Sequence, residues 1–296
     1  MKTLQTSLRQ RGVTLIELMV GLSIGLMVVA VAMGTLMVSR GISGSVSDAS
    51  GIQQQGAYIL RVIGQQLRQA GSLYLNPDPV GGASTDVLSV VAFEIKADPI
   101  TVDDKTGNGF KQEDTLAGTS NTLTTGFRRY QDNVFFSDNA TSSVIGTDYL
   151  ARNCVGAPGK DSTDQRIESI FTFASAKNEL QCNGNGTTAQ AIAQNVAQFQ
   201  ITYMVQQVPD AAGTKVQYTK GSDMPTAATD SAWRRVQGVQ ICLVLYGNEL
   251  INMPAGSSYT DCEGTSVDMT TLTGTRKNRM HLLFRNTFQL RSQGLL

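Results

Sequence analysis

Between Val13 and Val38 the chain reads VTLIELMVGLSIGLMVVAVAMGTLMV, an apolar run whose only charge is Glu17. It exceeds the roughly 20 residues a helix needs to cross a bilayer. The first twelve residues carry Lys2, Arg9 and Arg11 and no acid. A basic flank before the run and few basic residues after it put the N-terminus in the cytoplasm and everything beyond Arg40 on the far side. Over the whole chain 24 basic side chains balance 24 acidic ones, and without the three leader cations the balance is 21 against 24. That leaves no basic stripe of the kind a nucleic-acid groove requires, so no nucleic-acid partner is expected.

Three readings of the N-terminus compete. In the first it is a secretory signal cut after Ala30-Val31-Ala32, releasing a soluble periplasmic binding protein that begins at Met33. In the second it is a plain membrane anchor, and Glu17 is a blemish. In the third the basic leader is removed before the apolar run, and the run is kept. Only the third gives the glutamate a task. A carboxylate at mid-membrane costs about 2.5–3.5 kcal/mol on insertion scales and is rare without a partner. After a cut at Gly12, Glu17 lies only about 6 Å along a helix from a free α-amine. The amine of a neighbouring chain is then a natural partner.

The residues Arg11-Gly12-Val13-Thr14-Leu15-Ile16-Glu17 resemble the type III signal of type IV pilins and pseudopilins. The resemblance implies that a prepilin peptidase cuts after Gly12, that Val13 becomes the methylated first residue, and that Glu17 becomes the fifth. Val13 departs from the family's usual phenylalanine. The family also implies that Glu17 neutralises the N-terminal ammonium of an adjacent pilin during docking.

Beyond Arg40, apolar residues recur at Ile42, Val46, Ala49, Ile52, Ile59, Ile63, Leu67 and Ala70, spacings that describe one helical face. No proline interrupts Val13 to Asn76, so the membrane helix is expected to run into this amphipathic one and stop at Gly71. Gly21 and Gly25 form a GxxxG pair that permits close helix packing. From there the period changes to two. Strands are expected at Asp86–Ile95, Ile167–Phe173, Val196–Val205, Val236–Tyr246 and Met280–Arg291, with a polar loop over Asp98–Thr125. The alternation in the last strand places Met280, Leu282, Phe284, Phe288 and Leu290 on a core and His281 in solvent. The expected fold is α+β, a long helix packed on an antiparallel sheet. Its divisions are a leader over 1–12, a transmembrane and filament-core helix over 13–38, an amphipathic helix over 39–71 and a β-rich extracytoplasmic head over 72–296.

The segments RVIGQQLRQAGS, AQNVAQFQITYMV, WRRVQGVQICLVL and LLFRNTFQLRS are similar to those of PilW-type minor pilins. That resemblance implies a role in initiating or assembling a type IV pilus. The implied partners are prepilin peptidase, other minor pilins, the major pilin and inner-membrane lipid. A J-type pseudopilin of a type II secretion system is the neighbouring alternative.

Cys154, Cys182, Cys242 and Cys262 fall in the part assigned outside the cytoplasm, where an even count favours two disulfides. Three pairings are possible; Cys154–Cys182 and Cys242–Cys262 are preferred because each closes a local loop. With no CxxC and His281 as the single histidine, a zinc site is not expected. The Asp103–Phe110 loop fails as an EF-hand, because the twelfth position from Asp104 is Thr115 where a glutamate is required. There is no nucleophile elbow, phosphate loop or dinucleotide fingerprint, so neither enzyme activity nor a cofactor is expected. Phe127-Arg128-Arg129-Tyr130 and Trp233-Arg234-Arg235 mix aromatic and basic residues, as ligand sites or strand ends do.

Overall fold

A computed structural model describes residues 12–70, 115–129, 131–138, 142–159, 162, 166–207, 215–227 and 230–290. The expected cap at Gly71, the Asp86–Ile95 strand and the Asp103–Phe110 loop lie outside them. The first element is a helix, α1, Leu15–Gln69, unbroken by proline. Thr14 stands immediately before it, and the N–H groups of Glu17 and Leu18 donate to the Thr14 hydroxyl at 3.3 Å and carbonyl at 3.2 Å. A threonine at this position satisfies donors that the first helical turn leaves open.

The chain divides into two units, Met1–Asp48 and Ala49–Leu296. In the first, every residue from Gly12 to Met37 is exposed, including Leu15, Ile16, Leu26 and Met37. This is the one described helix long and apolar enough to cross a membrane.

The second unit begins with the amphipathic stretch of α1. Ile52, Ile59, Ile63, Leu67 and Ala70 are buried, whereas Val46, in the first unit and on the same heptad-like spacing, is exposed. Thirteen strands follow: β1 Leu116–Gly118, β2 Thr122–Arg128, β3 Gln131–Asp138, β4 Ser142–Tyr149, β5 Arg166–Ala174, β6 Glu179–Asn183 and β7 Gln190–Ala193. The rest are β8 Val196–Gln206, β9 Val216–Lys220, β10 Val236–Tyr246, β11 Ser258–Thr260, β12 Ser266–Asp268 and β13 His281–Gln289. Among the described residues they form antiparallel sheets ordered β1-β2-β5-β6-β7 and β13-β10-β8-β9, with hairpins β3-β4 and β11-β12.

One core joins these layers. The buried helix face meets Phe199, Ile201, Tyr203 and Val205 of β8, Val239, Ile241, Leu243 and Leu245 of β10, and Phe288 of β13. Leu123, Phe171 and Leu180 extend it to the larger sheet. Close approach requires glycine at two helix positions. A Cβ on Gly56 would sit 2.6 Å from the Phe284 ring, and one on Gly64 would press still harder into Phe288. Eight residues of helix and four of strand cover nearly the same length, about 12–13 Å, so these paired contacts show α1 and β13 running in the same direction. Gln66 is buried on this face; it accepts a hydrogen bond from the Ser169 hydroxyl at 2.9 Å and donates to the Arg152 carbonyl at 3.2 Å.

Two expectations are overturned. The supposed loop ending at Thr125 contains β1 and most of β2. Leu123, Thr125 and Phe127 alternate inward, and the threonine in the middle hid the period. His281 is not a solvated surface residue but is 3 % exposed. The outer face of the smaller sheet is covered at that end by the Tyr259–Met269 segment, which makes a second apolar cluster with Cys242, Val244 and Leu283.

Candidate functional site

The candidate site is the helix start. Gly12 and Val13 precede α1 outside any helix or strand and are exposed, and Glu17 occupies the first turn of α1. A Cβ at Gly12 would meet nothing within 4 Å, and Gly12 does not hold a left-handed backbone angle. Nothing in the chain's own packing demands glycine there. Glu17 is exposed among apolar neighbours. Sequence reasoning passed over Thr14, although T-x-x-E ahead of an apolar run is a capping-box signature.

The cysteines pair as Cys154–Cys182, with Cα atoms 6.3 Å apart, and Cys242–Cys262, 5.8 Å apart. The first ties the segment before β5 to β6. The second pins the Tyr259–Met269 segment to β10. Arg285 from β13 adds a 2.8 Å hydrogen bond to the Cys262 carbonyl, and Lys220 and Gln200 both reach Glu263 at 2.5 Å. The salt bridge holds the Glu263 carboxyl below the ordinary carboxylate range and Lys220 above the ordinary lysine range. Both side chains are half exposed, so the pair adds little stability.

His281 lies beneath this segment. Its ring stacks on Tyr259 with centroids 4.7 Å apart, and Tyr246 lies 5.7 Å away. Nδ1 is 2.8 Å from the Arg279 carbonyl, which can only accept, so Nδ1 carries the proton. Nε2 accepts from Arg276 Nε at 3.2 Å, and Arg276 also donates to the Tyr259 hydroxyl at 2.6 Å. Burial is the main cause that lowers the His281 pKa to about 4, and the Arg276 charge adds to it. The histidine is therefore neutral and structural.

Of the aromatic–basic pairs, Arg129 and Trp233 are taken up by the fold. Arg129 is buried, lies 4.4 Å over the Tyr149 ring and donates to the carbonyls of Gly159 at 3.3 Å and Ser162 at 2.7 Å. Trp233 is buried edge-on against Tyr203 at 5.0 Å, and burial raises the Tyr203 hydroxyl well above the ordinary tyrosine range. Among the described residues no cluster of three histidine, cysteine or acidic side chains is placed to hold a metal.

A long apolar N-terminal helix with a glutamate in its first turn, continuing onto an antiparallel sheet, defines a type IV pilin-like protein. The model of the prokaryotic N-terminal methylation motif matches residues 7–33. The model described as Type IV Pilus-assembly protein W matches residues 169–292, which run from within β5 to beyond β13. Together the two matches support a PilW-type type IV pilin. Among solved structures it is similar to a type IV-like pilin from Thermus thermophilus, at 12 % identity over 60 % of this chain and 84 % of that one, with a TM-score of 0.29. The assignment rests on the family matches and the architecture rather than on that superposition. A search of curated protein sequences returns no significant match.

Proposed function

We propose that the chain is a minor pilin that takes part in initiating or assembling a type IV pilus, as a structural subunit rather than an enzyme. On this reading prepilin peptidase removes residues 1–12 in the cytoplasm and Val13 is methylated. The helix over 13–38 then anchors the protein in the inner membrane, with the head over 72–296 in the periplasm. The amphipathic stretch over 39–71 carries the chain into that head. Other minor pilins and the major pilin are the partners during docking.

The observation that carries the reading is Glu17 alone in the apolar helix, inside a methylation-motif match, after a glycine the fold does not need. A cut after Ala32 is disfavoured because Glu17 would stand inside the h-region and the apolar run exceeds the roughly 7–15 residues usual for one. The match to a pilus-assembly family favours a pilus over a secretion pseudopilus.

Mass spectrometry of the mature N-terminus is the first test. A chain beginning at methylated Val13 supports the reading, and one beginning at Met33 sinks it. Glu17→Ala is expected to leave cleavage intact and reduce incorporation into filaments, and Gly12→Val to block cleavage. Wild-type incorporation of the Glu17→Ala protein would refute the charge-pairing role. Lost protein secretion with normal piliation would move the chain to the pseudopilins.

A further inference from the structure

We propose that the open edge of β9, Val216–Lys220, receives an extended strand of a different pilus subunit, which adds a fifth strand to the sheet β13-β10-β8-β9. The proposal rests on the pilus-subunit reading above. Among the described residues β9 pairs with β8 alone, antiparallel and without a register shift. Just ahead of the strand the Gln207 N–H donates to the Lys215 carbonyl at 2.8 Å. An antiparallel ladder alternates hydrogen-bonded and non-bonded pairs, so Gln217 opposite Val205 and Thr219 opposite Tyr203 continue the bonded set. The N–H and carbonyl groups of Val216, Tyr218 and Lys220 therefore point away from β8.

Edge strands usually carry a safeguard against such pairing: a proline, a bulge, a charge along the strand or a very short length. Of the other edges of the two larger sheets, β7 has a register shift against β6, β1 has three residues, and β13 carries the charge of Arg285 at its centre. β9 has none of these. Its one charge, Lys220, stands at its end and is drawn to Glu263 at 2.5 Å. The strand is apolar instead, with Val216 46 % and Tyr218 58 % exposed. Both lie on one face, because Val216 pairs with Gln206 and Tyr218 with Met204, on the side of the sheet away from α1.

The groups themselves choose the occupant. Outward donors and acceptors repeat along β9 about every 6.8 Å, two residues of strand, and another extended backbone reproduces that spacing. Apolar side chains on its outer face would cover Val216 and Tyr218. No charge occurs from Val216 to Thr219, so an uncharged partner strand leaves no ion unpaired there. A second copy of this chain fits less well. Turning β9 on itself about Tyr218 would set Lys220, already held by Glu263, opposite Val216 at both ends. Such an isologous pair also closes at two copies, whereas a filament grows through heterologous contacts.

The test uses the full chain in its native cells, with the wild-type copy deleted. Tyr218→Pro removes one outward N–H and spares the ladder to β8, the position at which an edge strand tolerates proline. The purified variant should melt within a few degrees of wild type, while surface pili fall several-fold. Tyr218→Val keeps the N–H and should cost far fewer pili. Normal piliation by a folded Tyr218→Pro protein overturns the proposal, as does an equal loss with Tyr218→Val, which would make the side chain and not the backbone the contact. The photo-crosslinking residue p-benzoylphenylalanine at position 218 gives a second readout, which decides alone where the proline variant fails to fold. Peptide mass spectrometry should show it joined to a different pilin; an adduct only between two copies of this chain, or none to any pilin, overturns the proposal. Deletion of the whole chain reads the parent assignment separately. Normal pili after deletion refute the pilus-subunit reading, whereas pili lost on deletion but normal with Tyr218→Pro refute only the strand addition.

Discussion

Gly64 offers the sharpest check on how α1 meets the sheet. In an exposed helix, replacing glycine by alanine gains up to about 1 kcal/mol, because alanine has less backbone freedom to lose. Gly51 is such a site: a Cβ there meets nothing within 4 Å. Gly64→Ala should reverse the sign. Its methyl would be driven into the Phe288 ring, which is buried and bracketed by the Arg68 guanidinium 5.9 Å from its centroid. Forcing an extra carbon into a packed core costs about 1–3 kcal/mol, which outweighs the propensity gain and leaves a net loss of about 1 kcal/mol. At roughly 2–4 °C per kcal/mol for a unit of this size, the Gly51→Ala and Gly64→Ala proteins should melt about 4–8 °C apart, on opposite sides of wild type. Near-UV circular dichroism of the full chain in detergent reads this directly. Phe288→Leu combined with Gly64→Ala should recover part of the loss, as expected for contacting residues. Stabilisation by Gly64→Ala equal to that by Gly51→Ala would show that the helix does not rest on Phe288.

Two further outcomes follow from the covered end of the smaller sheet. His281 has a folded pKa of about 4, below its unfolded value near 6.5, so the unfolded chain binds more protons between those limits. The stability contributed by the neutral ring is complete above about pH 6.5 and is lost as pH falls toward 4, on the order of 1–2 kcal/mol once screening at the ring edge is allowed for; denaturation midpoints should show this slope, and His281→Phe should flatten it. Replacing Cys242 and Cys262 together by alanine opens a loop of sequence separation 20 and should cost about 3 kcal/mol by the chain-entropy relation; hydrogen exchange should rise most across Tyr259–Val267, and an unchanged melting temperature would refute the role given to this bridge.

The parts of the fold legible in the sequence were those where one physical demand dominated. The apolar run was legible by length as a helix able to cross a bilayer, although three readings of its processing stayed open. β10 has the bounds its apolar density implied, because a strand buried on both faces needs no alternation to be noticed. The helix face was legible from Ile52 onward, but the same spacing included Val46, which is exposed. Spacing reports a stripe, not where the sheet beneath it ends. Gly56 and Gly64 were invisible as packing residues, since their meaning depends on aromatic rings more than two hundred positions away. At the candidate site Glu17 stood out because a charge in an apolar run is costly; Thr14 did not, because a threonine costs nothing there.

His281 shows why alternation failed where it did. In β13 the residues facing the helix and those facing away do alternate, and His281 falls on the outward set with Leu283 and Arg285. Alternation fixes the face, but exposure depends on what lies over that face. The cover is the Tyr259–Met269 segment, held by Cys262 to Cys242, so it arrives through a bridge between residues on different elements. Once it is in place, the outward histidine must give up its charge or find an anion, and no anion is among the groups that meet its ring. It stays neutral, donates to the Arg279 carbonyl and accepts from Arg276, and the arginine fastens Tyr259 above it. A polar residue in a strand is therefore a sign of a wet face only when no disulfide-anchored segment returns to cover it. The cysteine at Cys242, on the same outward set as His281, was the feature of the sequence that foretold such a return.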